Sequence, residues 1–176
     1  MPLAVLGLGS NIQRRHHLCQ ALDALARLAD DAPLQLSRVF ESPAVGFDDE
    51  RPFYNLVAAF DTELSPTAIN ARCKAIERAN GRPEGPTKFI ARTLDIDLLL
   101  WGDAVGHHGD TRLPRGDILR YAFVLHPLAE LLPLFEHPVD GRTFQALWAA
   151  FDASEQPHWP VEFIWRNQRI SCATDS

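Results

Sequence analysis

Apolar positions along this chain recur with two different periods, and the changes of period mark the elements. Leu3–Leu8 is a short apolar run that predicts a buried strand. It leads into Gly7-Leu8-Gly9-Ser10-Asn11, which reads as a tight turn with Ser10 or Asn11 capping the next helix. Leu18, Ala21, Leu22, Leu25 and Leu28 then fall at helical spacing, so a helix with one apolar face is expected over about 13–30. Leu34–Ser42 alternates loosely as a second strand. Tyr54–Glu63 alternates as a third, with Leu56, Ala58 and Phe60 on one face. Ser65-Pro66 is a cap followed by an N1 proline. It opens a helix over about 66–80 whose buried face is Ala68, Ile69, Cys73 and Ile76, with Gly81 at its end.

The next strand is the most informative stretch. From Leu94 the residues are apolar except for Asp95 and Asp97. Strand alternation places Asp95, Asp97 and Leu99 on one side, and Ile96, Leu98 and Leu100 on the other. Two residues of rise set the aspartates roughly 6–7 Å apart, close enough to converge on Mg²⁺ or to hold two ions bridged by phosphates. Without a metal, the same pair would be solvated charges guarding a sheet edge. Gly102–Gly116 is polar and loop-like. Residues 117–133 read as one or two helices, and Phe144, Leu147, Trp148 and Phe151 mark a further short helix. The tail from Gln156 to Ser176 is expected to fray.

Strand, helix, two strands, helix, strand is the split β-α-β order of ferredoxin-like α+β folds. The expectation is one α/β domain over 1–155, a mixed sheet flanked by helices in α-β-α layers, with 156–176 as a tail.

Composition narrows the function. A net charge of −6 argues against non-specific nucleic-acid binding and against an anionic membrane surface. Three scattered cysteines, Cys19, Cys73 and Cys172, form no disulfide framework or zinc spacing and suit a reducing cytosol. The start lacks a basic region, so no secretory leader is expected, and a cytoplasmic protein is. The 82–92 loop offers Arg82, Lys88 and Arg92. Cations beside a carboxylate pair are the components of phosphoryl or nucleotidyl transfer. Phe53 and Phe123 can sandwich a flat heterocycle and Asn55 can read its edge, although each Phe taken alone reads better as core. The adjacent pairs His16-His17 and His107-His108 do not have a ligand spacing.

Taken in order, Gly7-Leu8-Gly9-Ser10-Asn11, Ser42-Pro43-Ala44-Val45-Gly46, Phe53-Tyr54-Asn55, Ile76-Glu77-Arg78 with Gly81-Arg82, Arg92-Thr93-Leu94-Asp95-Ile96-Asp97 and Ala122-Phe123-Val124-Leu125 form one series. The series resembles the 6-hydroxymethyl-7,8-dihydropterin pyrophosphokinase family of folate synthesis. The resemblance implies transfer of the terminal diphosphate of ATP to the pterin hydroxymethyl group, with release of AMP. It implies that Asp95 and Asp97 hold two Mg²⁺ ions and act in catalysis with Arg82 and Arg92. It places Ser42, Pro43, Val45, Phe53, Asn55 and Phe123 on the pterin, and Lys74, Glu77, Arg82, Lys88, Arg92, Leu98 and Arg115 on ATP. The implied partners are these two small molecules alone, on a monomer with no nucleic acid or membrane.

The chain departs from the family pattern on the ATP side. Lys88-Phe89-Ile90-Ala91 stands where the family has Arg-Trp-Gly-Pro, Glu84 reverses a charge, and Leu113-Pro114-Arg115-Gly116 replaces a Pro-His motif. Two other readings therefore use the same residues: a pterin-binding paralogue with altered ATP chemistry, and a transferase with another donor or heterocycle.

Overall fold

The computed structural model describes residues 1–44, 51–81 and 94–174. The expected strands and helices assemble as β1 (Leu3–Ser10), α1 (Arg14–Ala29), β2 (Gln35–Leu36), β3 (Val39–Ser42), β4 (Phe53–Asp61), α2 (Pro66–Ala79) and β5 (Asp95–Trp101). A short hairpin follows, β6 (Gly106–His108) with β7 (Thr111–Leu113), where a loop was expected. Then come α3 (Asp117–Arg120), α4 (Ala122–Leu131), α5 (Phe144–Ala150), β8 (Trp159–Val161), β9 (Phe163–Trp165) and β10 (Gln168–Ser171).

The main sheet runs β5-β1-β4-β3-β8, with β2 also paired to β4. This is the ferredoxin-like order, fourth strand of the split motif beside the first. Every pair in it is antiparallel, where a mixed sheet was expected. Alternation along the strands divides the core in two. Ala4, Leu6, Leu8, Leu56, Ala58, Phe60, Ile96 and Leu98 meet α1 and α2 on one face. Val5, Val57, Ala59 and Leu99 meet α3, α4 and α5 on the other. The α-β-α layering follows from that division.

Helix α2 begins as its sequence specifies, with Ser65 Oγ accepting from the Ala68 N–H at 3.2 Å and Pro66 at N1. The start of α1 differs from expectation. Gly7 and Gly9 are strand residues, paired to β4 on one side and β5 on the other. The strand continues to Ser10, and α1 opens from Gln13 in a left-handed conformation with no side-chain cap. Ser10 Oγ donates instead to the Ile12 carbonyl, and Asn11 Nδ2 to the Arg51 carbonyl. Pairing on both edges overrides the local turn signal of two glycines.

Two further corrections come from the sheet. The β1–β5 register shifts between Val5 and Leu6, so Val5 faces Leu100 while Leu6 faces Leu98. That bulge at Leu99 resets the alternation. Leu100 therefore packs with Leu99 on the α4 face, not with Leu98, and Trp101 turns to the α1/α2 side, its indole N–H bonded to the Leu64 carbonyl. The tail does not fray over its described length. β8 pairs with β3, and Phe163 of the β9–β10 hairpin is buried in the core beside Tyr54. No described helix is long and apolar enough to cross a membrane.

Candidate active site

One face at one end of the sheet collects most of the described candidates. On β4, Phe53 and Asn55 lie on the same side as Val57 and Ala59, toward α4. Across the ladders, Phe40 stands opposite Asn55, Asn55 opposite Gly9, and Gly9 opposite Asp95. From that row, one step in one direction brings Ser42 opposite Phe53, and one step in the other direction brings Gly7 between Val57 and Asp97. The two glycines are the middle of these rows. With no side chains of their own, they make β1 the low floor of a shallow trough between the Asn55 edge and the aspartate edge, two strand spacings, or roughly 10 Å, across, with the Asn55 amide leaning over Gly9 and the Leu99 side chain over Gly7.

The Asn55 side of the trough is neutral and hydrogen-bonded. Ser42 and Asn55 are both buried, and Asn55 Nδ2 donates to Ser42 Oγ at 3.1 Å. The amide oxygen presses so closely on β1 that a Cβ built on Gly9 would lie 2.8 Å from it. A methyl there displaces the amide, so this position requires glycine for space. Phe53 is half-buried beside Ser42, and Pro43 is exposed. Phe123 sits in the first turn of α4, half-buried and stacked on Tyr121 with ring centres 5.1 Å apart.

The aspartate side is charged. Asp95 and Asp97 share a face at the start of β5, as alternation requires. Burial, and next the Asp95 charge, push the Asp97 carboxyl up to about 7, against the pull of Arg115. Arg115 lies 3.5 Å from Asp97 and 3.4 Å from Asp117, a third carboxylate that the sequence reading did not single out. Its guanidinium is held over the strand because its backbone N–H donates to the Leu99 carbonyl at 3.0 Å, at the bulge. Asp117 could have been noticed as an acid two residues beyond a loop arginine, but its approach to Asp97 depends on that bulge.

The remaining residues assigned to ATP fall in different places. Glu77 is buried on α2, and its Oε2 accepts the Ile96 N–H at 2.8 Å on the outer edge of β5. It thus ties α2 to the strand that carries both aspartates. Lys74 is exposed on the same helix. Leu98 does not line the trough: its side chain is in the core on the α1/α2 face, because it alternates with Asp97. Cys73 is buried, and burial followed by the Glu77 charge pushes its thiol up to about 12, so it is an inert core residue. Val45, Arg82, Lys88 and Arg92 lie outside the described residues.

Two carboxylates with hard oxygen donors, one of them 3.5 Å from Arg115, suit Mg²⁺, which is commonly held by one or two carboxylates together with substrate phosphates. Burial and the neighbouring Asp95 charge favour the protonated form of Asp97 where no cation is bound. Fold and site together define a small ferredoxin-like α+β protein with an amide edge and an acidic pair on either side of a glycine-bearing central strand.

Comparison with known proteins places it further. A family model described as 7,8-dihydro-6-hydroxymethylpterin-pyrophosphokinase matches residues 5–133. The chain is 37% identical over 146 residues to the 2-amino-4-hydroxy-6-hydroxymethyldihydropteridine pyrophosphokinase of Pseudomonas aeruginosa, covering 82% of this chain and 89% of that one. It is 34% identical over 155 residues to the protein of the same name from Methylorubrum extorquens, covering 88% and 96%. Among solved structures, wild-type Plasmodium falciparum HPPK-DHPS superposes with a TM-score of 0.68 at 14% identity, covering 97% of this chain and 50% of that one. A variant of it solved with pterin and p-hydrobenzoate gives 0.71 at 14%, covering 97% and 46%. The present chain spans about half the length of those two-part structures, and their likeness concerns the fold. The chain belongs to the 7,8-dihydro-6-hydroxymethylpterin-pyrophosphokinase family, a family of diphosphotransferases.

Proposed function

We propose that this protein transfers the terminal diphosphate of ATP to the hydroxymethyl oxygen of 6-hydroxymethyl-7,8-dihydropterin, releasing AMP, as a step in folate synthesis. The observation that carries the reading is the opposition of Ser42 and Asn55 to Asp95 and Asp97 across a glycine trough, in a chain of this family. The amide and hydroxyl read the donor and acceptor edge of the pterin, and Phe53 and Phe123 cover its faces. Bound this way, the hydroxymethyl group points toward the aspartates.

In the transfer, the hydroxymethyl oxygen bonds to the β-phosphorus, the bond from that phosphorus to the α–β bridging oxygen breaks, AMP departs with that oxygen, and the hydroxyl proton leaves to solvent. There is little covalent work for the protein, so rate comes from alignment and charge. Asp95 and Asp97 would hold two Mg²⁺ ions, which supply charge neutralisation to the phosphates when bound. Asp97 would hold its cation as the ionised carboxylate. Arg115, released from Asp97, is free to face phosphate oxygens, and it can replace the missing Pro-His motif as a cation. Arg82, Arg92 and Lys88 are assigned to the phosphates with it, while Lys74, Glu77 and the Leu98 backbone are assigned to the nucleotide end. The protein acts as a monomer in the cytoplasm.

The test is AMP formation on mixing protein, Mg²⁺, ATP and the pterin. AMP that appears only with the pterin present is expected. Pterin binding with no AMP would instead favour the paralogue reading, for which the changed residues 84, 88–91 and 115–116 are the motive.

A further inference from the structure

Residues 156–161 lie outside the 5–133 span of the family match, yet they join the two elements that face each other across the pterin side of the trough. On one side β8 pairs with β3, with Trp159 opposite Glu41, and the Trp159 indole N–H donates to Glu41 Oε1 at 3.1 Å. The next residue of β3 is Ser42. On the other side Gln156 grips the start of α4. Its Oε1 accepts the Ala122 N–H at 2.8 Å, and its Nε2 donates to the Arg120 carbonyl at 3.1 Å.

Helix α4 has no side-chain cap from its own N-cap residue, Tyr121. Gln156 performs that service from 34 residues away. Phe123 is the residue after Ala122, within the turn that Gln156 holds. His158 extends the link: its Nε2 lies 2.7 Å from Nδ1 of His126, one turn into α4, and its Nδ1 lies 2.9 Å from the Gln156 carbonyl. Both imidazoles pack on Phe40, with ring centres 4.7 and 5.7 Å away, and Phe40 is the β3 residue directly opposite Asn55.

We propose that residues 156–161 are a strap that sets the gap between Phe123 and the Ser42–Asn55 pair, with Gln156 as a positioning residue that determines pterin affinity. The inference rests on the proposed pterin site. It concerns one substrate only, because Asp95, Asp97 and Glu77 belong to β5 and α2, at the opposite edge of the sheet from β3 and β8.

The experiment compares wild type, Gln156→Ala, Gln156→Glu and the exposed neighbour Glu155→Ala. The readouts are titration with 6-hydroxymethylpterin by its own fluorescence, Mg-ATP binding by calorimetry, and circular dichroism. Losing both hydrogen bonds should weaken pterin binding about tenfold in Gln156→Ala. Mg-ATP affinity should stay within about twofold of wild type, as expected of distant sites. Gln156→Glu keeps the acceptor for Ala122 and loses the donor to Arg120, so it should fall between, with Glu155→Ala equal to wild type. Unchanged pterin affinity in Gln156→Ala, or equal weakening for both ligands, overturns the strap. Should the alanine variant unfold, Gln156→Glu decides by the same two affinities. Failure of the wild type to bind the pterin at all would instead overturn the functional reading on which the strap depends.

Discussion

The two walls of the trough are built on opposite principles. The Asn55 wall is neutral and held within the fold: the Asn55 amide N–H donates to Ser42 Oγ, and Gly9 makes room for the amide oxygen. On the Asp97 wall charge is concentrated: among the described residues one arginine is shared between Asp97 and Asp117, and Asp95 raises the Asp97 carboxyl further. The first wall is preorganised for a neutral, planar ligand whose recognition depends on shape and hydrogen bonds. The second favours a proton or a cation at Asp97, as suits a site proposed to hold several phosphate charges.

The largest effect should come from the charged wall. Asp97→Ala removes a proposed metal ligand and should lower diphosphate transfer by about 10³-fold or more while leaving pterin binding intact. Parallel kinetics and pterin titrations check this, and full activity in the variant would remove Asp97 from the metal site. Next is Gly9→Ala on the neutral wall. Its methyl meets Asn55 Oδ1 and must push the amide from Ser42, costing about 1–3 kcal/mol of stability and weakening pterin binding more than Mg-ATP binding. Equal loss for both ligands would mean that the two walls are not separable.

A smaller effect concerns pH. The folded Asp97 carboxyl is raised to about 7, whereas an unfolded one titrates near ~3.9. Between those values the native state holds the extra proton, so this group makes the metal-free protein less stable as pH rises through that window. Melting curves in chelator at pH 5 and pH 8 should show Asp97→Asn gaining on wild type at the higher pH. Curves that stay parallel would contradict the assignment. The smallest effect is expected for Arg115→Gln without ligand: the side chain is 40% exposed, so its ion pairs contribute on the order of 0–1 kcal/mol. Its larger consequence should be a raised KM for Mg-ATP.

What the sequence disclosed follows from range. The Asp95/Asp97 face was legible because a strand alternates with period two whatever surrounds it, and the start of α2 was legible because Ser65-Pro66 acts locally. The bulge that turns Leu100 to the other face was not, since it arises from pairing with Val5 and Leu6, more than ninety positions away. The same holds for Gly7 and Gly9, whose turn-like composition is overruled by strands on both sides. The tail looked frayed because β8, β9 and β10 have only three, three and four residues, too short for a periodicity. Their stability comes from β3, the core at Phe163 and α4. Leu98 entered the site reading by family resemblance, although the alternation that exposes Asp97 already buries it.

The most direct test of the account is phosphorus NMR of a single turnover with Mg-ATP and 6-hydroxymethyl-7,8-dihydropterin. The account predicts AMP together with a diphosphate ester on the pterin, formed in equal amounts, and neither without the pterin. ADP with a monophosphate ester would place the attack on the terminal phosphorus and contradict the proposed alignment of the two walls.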